Sequence, residues 1–325
     1  MSRSRNNLTR SWLWLLLCLP FSLASAQSTD SAEAWLQKMA GSLKSLNYQI
    51  SFVLLQANGN FEPYLWRHAV LDGVEMEHLS LQNGPGREIV RVGDQVSYFE
   101  PNVPAYSLQS EVINGPLPVE LLRKPQLLGG SYEVVMVGRS RISGRPAQQL
   151  RIVSKDKSRY GFNLWLDQET GLILKMDMMS MEGEPLEQAQ VTSLHVTEQP
   201  DAYFSRIEVG KLPEMISVPD ISEHPRSLQI GWLPVGMTEV RRDMHRLPLT
   251  GQVVDYVMLS DGLVDVSVYR QSVDPGSSEN GWLKYGANTL ISLQKGNHEI
   301  TVVGKLPPQT ASAIANSVEY LEVGK

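Results

Sequence analysis

Six histidines, one cysteine and two Ser-x-x-Lys quartets are the places where this 325-residue chain could do chemistry. The histidines are His68, His78, His195, His224, His245 and His298, and no two of them stand at the spacing that puts two imidazoles on one metal. His298-Glu299 opens like a zinc-protease motif, but Val302 occupies the place of the second histidine. Ser154-Lys155-Asp156-Lys157 and Ser292-Leu293-Gln294-Lys295 fit a pattern in which a desolvated lysine, one helical turn away, takes the serine proton. Both quartets fall at strand ends beside charged or turn residues, where neither helical spacing nor desolvation is expected. No serine sits in a G-x-S-x-G elbow, and Glu182 and Glu184 flank Gly183 in a solvated turn. Gly84-Pro85-Gly86 lacks the third glycine and the helix of a dinucleotide cradle. The residues predict no catalytic group, no metal site and no cofactor, and they point to binding instead of turnover.

Cys18 lies in the apolar run Trp12 to Leu19, behind Arg3, Arg5 and Arg10 and ahead of Pro20 and Ala24-Ser25-Ala26. This order reads as a Sec-type signal peptide over residues 1–26, with cleavage after Ala26. The run falls short of the ~20 apolar residues that cross a bilayer, and Leu17 stands where a lipoprotein signal wants a small residue. A mature chain without cysteine can form neither a disulfide nor a thiolate nucleophile, which suits a bacterial periplasm. Losing the leader removes three arginines and no acid, leaving 26 basic against 35 acidic residues, a formal charge of −9. That balance argues against nucleic acid as a partner.

Two groups of residues could bind instead. Met136, Phe162, Leu164, Met176 and Met178 sit on neighbouring strands, where they read either as ordinary core or as an adaptable cavity for acyl chains. Arg139, Arg141 and Arg151 lie in a locally basic stretch that reads either as a solvated face or as a site for an anionic, phosphorylated lipid. Further on, Trp232, Arg241 and Arg242 and the turn Ser260-Asp261-Gly262 offer anchors of the kind found at protein interfaces, although Trp232 could equally be a core plug.

These residues need a scaffold, and the patterning predicts a mainly β (α+β) one. Ser31 to Leu46 reads as a helix with Asp30 and Glu33 as a capping box and Trp35, Leu36, Met39, Leu43 and Leu46 on one side. From Tyr48 to Val196 about ten short alternating runs, separated by Gly, Asn and Pro, predict an antiparallel meander or open barrel. Pro101 to Gly130 interrupts it, with a short helix expected around Val119 to Lys124, and could plug or gate the concave face. Pro213, Pro219 and Pro225 mark an extended linker over 208–229 between a large domain, 27–207, and a small one, 230–325. The small domain is expected as an antiparallel sheet with a two-residue hairpin at Asp261-Gly262 and a terminal helix carrying Ala311, Ile314, Ala315 and Val318.

Three stretches resemble one known family. Gly231-Trp232-Leu233-Pro234-Val235-Gly236, the run Leu259 to Tyr269, and Val303 to Ala311 look like the small domain of RseB/MucB proteins, and Leu166 to Leu172 fits the family's large domain. The resemblance covers essentially the whole chain after the leader. It implies a large, half-open antiparallel β-barrel with helices, similar to LolA-type lipoprotein carriers, that senses lipid. It further implies a small domain that binds the periplasmic region of a membrane-bound anti-sigma-E factor of the RseA/MucA type and shields it from the site-1 protease. Such a protein represses the envelope-stress response until lipopolysaccharide or a related acyl lipid releases its grip. A periplasmic lipid or lipoprotein carrier is the alternative, and self-association is left open.

Overall fold

The structure, a computed structural model, describes residues 31–216, 228–246, 253–276 and 280–320. The expected signal peptide, Asp30, His224 and residues 217–227 of the expected linker lie outside them. Helix α1, Ala32–Ser45, is capped by Ser31, whose Oγ accepts the Ala34 N–H at 3.1 Å. Ser31 thus does the work the sequence reading gave to Asp30. Leu36, Met39 and Leu43 are buried as their spacing predicts.

Eleven strands follow: β1 Asn47–Gln56, β2 Phe61–Leu71, β3 Val74–Leu81, β4 Arg87–Val92, β5 Gln95–Phe99, β6 Tyr106–Gln109, β7 Tyr132–Ile142, β8 Arg145–Ser154, β9 Gly161–Asp167, β10 Ile173–Met179 and β11 Pro185–Thr197. They form one antiparallel sheet in the order β6-β5-β4-β3-β2-β1-β11-β10-β9-β8-β7. The first and last strands of the domain pair in its middle, from Asn47 opposite Thr197 to Gln56 opposite Glu187. Consequently β6 and β7 are the two edges, and the sheet curls without closing. The chain joining those edges crosses the open side and carries helix α2, Val119–Arg123, and a 3₁₀ turn, Pro125–Gly130. It lies over the concave face with α1, and Leu117, Leu121, Leu122 and Leu128 are buried in the same core as Leu36 and Met39. β6 was not foreseen, because its four residues stand among prolines and glycines.

The expected linker begins as docked chain. Pro213 O accepts from Ser107 Oγ at 2.7 Å, and Ile216 N–H donates to Ser107 O at 2.8 Å, so residues 213–216 run along β6.

The small domain holds β12 Leu228–Ile230, β13 Thr238–Arg246, β14 Val253–Ser260, β15 Asp265–Ser272, β16 Gly281–Tyr285, β17 Asn288–Lys295, β18 His298–Gly304, helix α3 Pro308–Ser317 and β19 Val318–Tyr320. Six of these strands form a sheet in the order β13-β14-β15-β18-β17-β16, and β12 pairs with β19. Ala311, Ile314 and Ala315 of α3 pack on Val257, Val266, Val268 and Val302. The expected two-residue hairpin is in fact a four-residue loop, Asp261–Val264. Asp261 Oδ1 accepts the N–H groups of Leu263 and Val264, both at 2.9 Å, and this Asx-type arrangement widens the turn.

Candidate functional site

The concave face is built by period-two alternation. Phe162 and Leu164 of β9 stand opposite Met178 and Met176 of β10 and Ile152 and Leu150 of β8, and Leu150 stands opposite Met136 of β7. All five apolar residues singled out for lipid therefore share one face: Phe162, Leu164, Met176 and Met178 are buried, and Met136 is partly so. Farther round the curl, Phe52, Trp66 and Leu79 form the floor of a small apolar cavity roofed by Ile113, Leu117 and Leu122, with a volume of about 40 Å³. On that face the arginines do not join them; Arg151 meets Phe162 only in the lining of a separate surface depression of about 340 Å³. Arg139, Arg141 and Arg151 are exposed; Arg141 Nε donates to Gly144 O at 3.1 Å, and Arg151 sits opposite Asn163, on the other side of β8 from Leu150 and Ile152.

At one end the concave face turns polar. Arg91 binds Glu75 and Glu77, both at 2.7 Å, and Arg123 of α2 reaches across to bind the same two carboxylates at 2.5 and 2.7 Å. His68 Nε2 adds a contact to Glu75 at 3.1 Å, while its Nδ1 lies 2.6 Å from Leu46 O. Burial alone would raise the Glu75 carboxyl, but hydrogen bonds from His68 and Arg123 and the two guanidinium charges outweigh it and hold the group down to about 2. The helix roof is thus clasped to the sheet by ion pairs screened from water.

The second cluster joins the domains. Arg159, its side chain wholly buried, binds Asp261 through Nη1, and its Nη2 donates to Asp156 Oδ1 at 3.1 Å and to Val235 O at 2.8 Å. Its guanidinium lies 4.9 Å from the centre of the Tyr132 ring, and Tyr132 OH donates to the same Asp261 oxygen at 2.9 Å. Asp156 Oδ2 accepts the Val235 N–H at 2.7 Å. Around this network Thr310 Oγ1 donates to Ser158 O, Lys305 pairs with Glu187 at 2.7 Å, and Ala287 of the β16–β17 turn is buried in the large domain's core. Gly236, at φ +79°, lies so close that a Cβ there would stand 2.1 Å from Ser131 Oγ.

The residues singled out for a protein partner divide between this junction and the surface. Asp261 is buried at the junction, Gly262 faces Glu120 and Leu128, and Ser260 Oγ accepts the Gly262 N–H at 3.2 Å. Trp232 is 41% exposed. Arg241 remains half exposed beside Asp243, whereas Arg242 is turned in, donating to both Glu239 oxygens and to Leu228 O at 2.9 Å. Sequence reasoning missed Glu75, Glu77, Arg91, Arg123, Tyr132, Asp156 and Arg159 as a working set. In the two Ser-x-x-Lys quartets each lysine donates to backbone carbonyls, Lys155 to Gly129 O and Lys295 to Asn316 O and Val318 O, and not to its serine. Among the described residues no group of three or more His, Cys, Asp or Glu is placed to hold a metal.

Fold and site together define a two-domain, mainly antiparallel β protein, with a roofed apolar hollow in an open sheet and a second sheet domain fastened by a buried ion network. Comparison with known proteins gives the family. The MucB/RseB N-terminal domain matches residues 31–216 and the MucB/RseB C-terminal domain residues 222–319, so the chain belongs to the MucB/RseB family. It is 34% identical to the Sigma-E factor regulatory protein RseB of Salmonella typhimurium over 96% of this chain and 99% of that protein. The solved complex of Pseudomonas aeruginosa MucA and MucB superposes with a TM-score of 0.72 at 28% identity, covering 89% of this chain and 98% of that one. A crystal structure of MucB, with the same identity and coverage, superposes at 0.58.

Proposed function

We propose that this protein is an exported regulator that binds the periplasmic region of a membrane-bound anti-sigma-E factor, shields it from the site-1 protease and so represses the envelope-stress response. The observation that carries this reading is similarity over both domains to a MucB solved in complex with MucA. In it the large domain, 27–207, senses lipid through its concave face, and the small domain, 230–325, supplies the partner's footing. Trp232 and Arg241, which stay open to solvent, are the contacts assigned to that partner; Ser260, Asp261, Gly262 and the inward-turned Arg242 set the shape of the surface. The hollow lined by Phe52, Trp66 and Leu79 supports lipopolysaccharide or a related acyl lipid as the releasing signal, and Met136, Phe162, Leu164, Met176 and Met178 belong to the same apolar core beyond it. Arg139, Arg141 and Arg151 lie outside the hollow, where they could meet only the headgroup. No catalytic step belongs to this reading, and the compartment is the periplasm.

The same hollow also favours a lipid or lipoprotein carrier, for which the second domain is an accessory. The purified protein, titrated with the periplasmic segment of an anti-sigma factor with and without a lipopolysaccharide fragment, separates the two. The regulator reading expects a complex that lipid weakens. Absence of a complex without lipid overturns it in favour of the carrier, and a complex indifferent to lipid removes the sensing part.

A further inference from the structure

The chain between Val112 and Tyr132 touches both halves of the molecule. Its first part roofs the apolar cavity through Ile113, Leu117 and Leu122, and Arg123 clasps this roof to Glu75 and Glu77. Its second part is the large domain's footing for the small one. Glu120 and Leu128 lie against Gly262, Ser131 lies against Gly236, and Tyr132 OH holds the Asp261 carboxylate at 2.9 Å. Helix α2 thus carries cavity-sealing Leu122 and junction-facing Glu120 within one turn. A rigid element this short has no slack to absorb a displacement on one side without passing it to the other.

The cavity as it stands has room for only a few water molecules, about 40 Å³. An alkyl chain has room in the adjoining hollow of about 350 Å³ beside Leu54, Leu81 and Ile89, but it cannot reach on into this cavity while Leu117 and Leu122 fill the space above Phe52 and Trp66. Its entry requires the roof to lift, and lifting α2 pulls Arg123 from its carboxylates and withdraws Glu120 from the Asp261–Val264 loop. We propose that the 112–132 segment is the coupling element of the protein: an alkyl chain that displaces the roof loosens the small domain, with the Arg123 clasp as the catch that keeps the segment shut. This rests on the reading of the hollow as a lipid site. A ligand acts here only through different affinities for the shut and lifted arrangements, and exclusion from the shut cavity supplies that difference.

Hydrogen–deuterium exchange tests the coupling without any protein partner, with dodecyl phosphate as the alkyl probe. A Cβ at Gly115 would stand 2.9 Å from Leu79 Cδ2, so side chains at the two positions meet, and a Gly115→Cys, Leu79→Cys pair, its oxidation read from the loss of free thiol, is the staple between roof and sheet; the sole native cysteine, Cys18, lies in the expected leader. In the reduced pair and in wild type, dodecyl phosphate is expected to speed exchange both in α2 and in the Asp261–Val264 loop; in the oxidised pair it should speed neither. Arg123→Gln, without probe, is expected to raise exchange in both places by at least about tenfold, since removing one partner of a buried ion cluster favours local opening. Faster loop exchange in the stapled protein, an Arg123→Gln response confined to α2, or no response of the reduced protein to the probe would each overturn the proposal. Because the anti-sigma segment is absent from these measurements, its failure to bind overturns the functional reading and leaves the coupling standing.

Discussion

Arg159 shows what a single residue does in this molecule and why it was hidden in the sequence. It lies in a run of basic residues that reads as a solvated face, yet its guanidinium is wholly buried because its partner, Asp261, comes from 102 residues away. No local spacing encodes such a pair. The apolar residues of β9 and β10 were legible for the opposite reason: alternation is a local property, and it placed Phe162, Leu164, Met176 and Met178 on one face. Arg151 failed to join them through the same rule, since it stands next to Leu150 in sequence and therefore across the sheet from it. Replacing Arg159 with Met leaves the Asp261 carboxylate buried without its cation. The expected loss is about 3–5 kcal/mol, read from urea unfolding. Adding Asp261→Asn removes the stranded charge while keeping an acceptor for the Leu263 and Val264 N–H groups, so the double variant should be more stable than Arg159→Met alone. A double variant weaker than the single one would mean that the pair is not coupled in the way its geometry indicates.

At the scale of elements, existence and type were read well and junctions poorly. α1, α2 and the strands from β1 to β11 other than β6 fall where capping, 3.6-residue and two-residue periodicities put them. The departures occur where one side chain or one extra residue redirects the backbone: Asp261 widening the β14–β15 turn, or the register shift between Met136 and Gly138 in β7. Two substitutions probe the elements. Leu164→Ala empties space on the fully buried face of β9 and should cost about 2–5 kcal/mol of large-domain stability, measured by denaturant unfolding. Gly236→Ala acts between elements, because its φ of +79° and the 2.1 Å approach of a Cβ to Ser131 Oγ leave no room for a methyl group. It should disturb the seating of the 231–237 loop on the large domain, seen as faster proteolysis there, and Ser131→Gly should restore part of the protection. Unchanged protease resistance of Gly236→Ala would show that this approach is not what seats the loop.

For the whole molecule, what the sequence could not disclose is topology: β1 pairs with β11, so the sheet opens between β6 and β7, and the chain that joins those edges serves as roof and domain footing at once. The junction ties the two sheets through buried ion pairs and hydrogen bonds, and its acidic members set a pH limit on that tie. Asp156 would be raised by burial, but hydrogen bonds from the Ser158 hydroxyl, the Val235 N–H and the Ser158 N–H, with the Arg159 charge, hold it down to about 2. A carboxyl lowered from an unfolded value of about 3.9 contributes its full stabilisation above that value and loses it as pH falls toward the folded one. Between pH 7 and 5 the domains should therefore melt together in calorimetry, as a single transition. From about pH 4 down toward 2, protonation of Asp156 breaks its hold on Val235 and weakens Arg159, so the small domain should separate into an earlier transition of its own. Asp156→Asn should bring that split to neutral pH, because an amide keeps the size of the carboxylate but not its charge toward Arg159. If both proteins instead lose stability with acid in one undivided transition, the domains are fastened by their apolar contacts around Ala287 and Leu263 and not by the ion network.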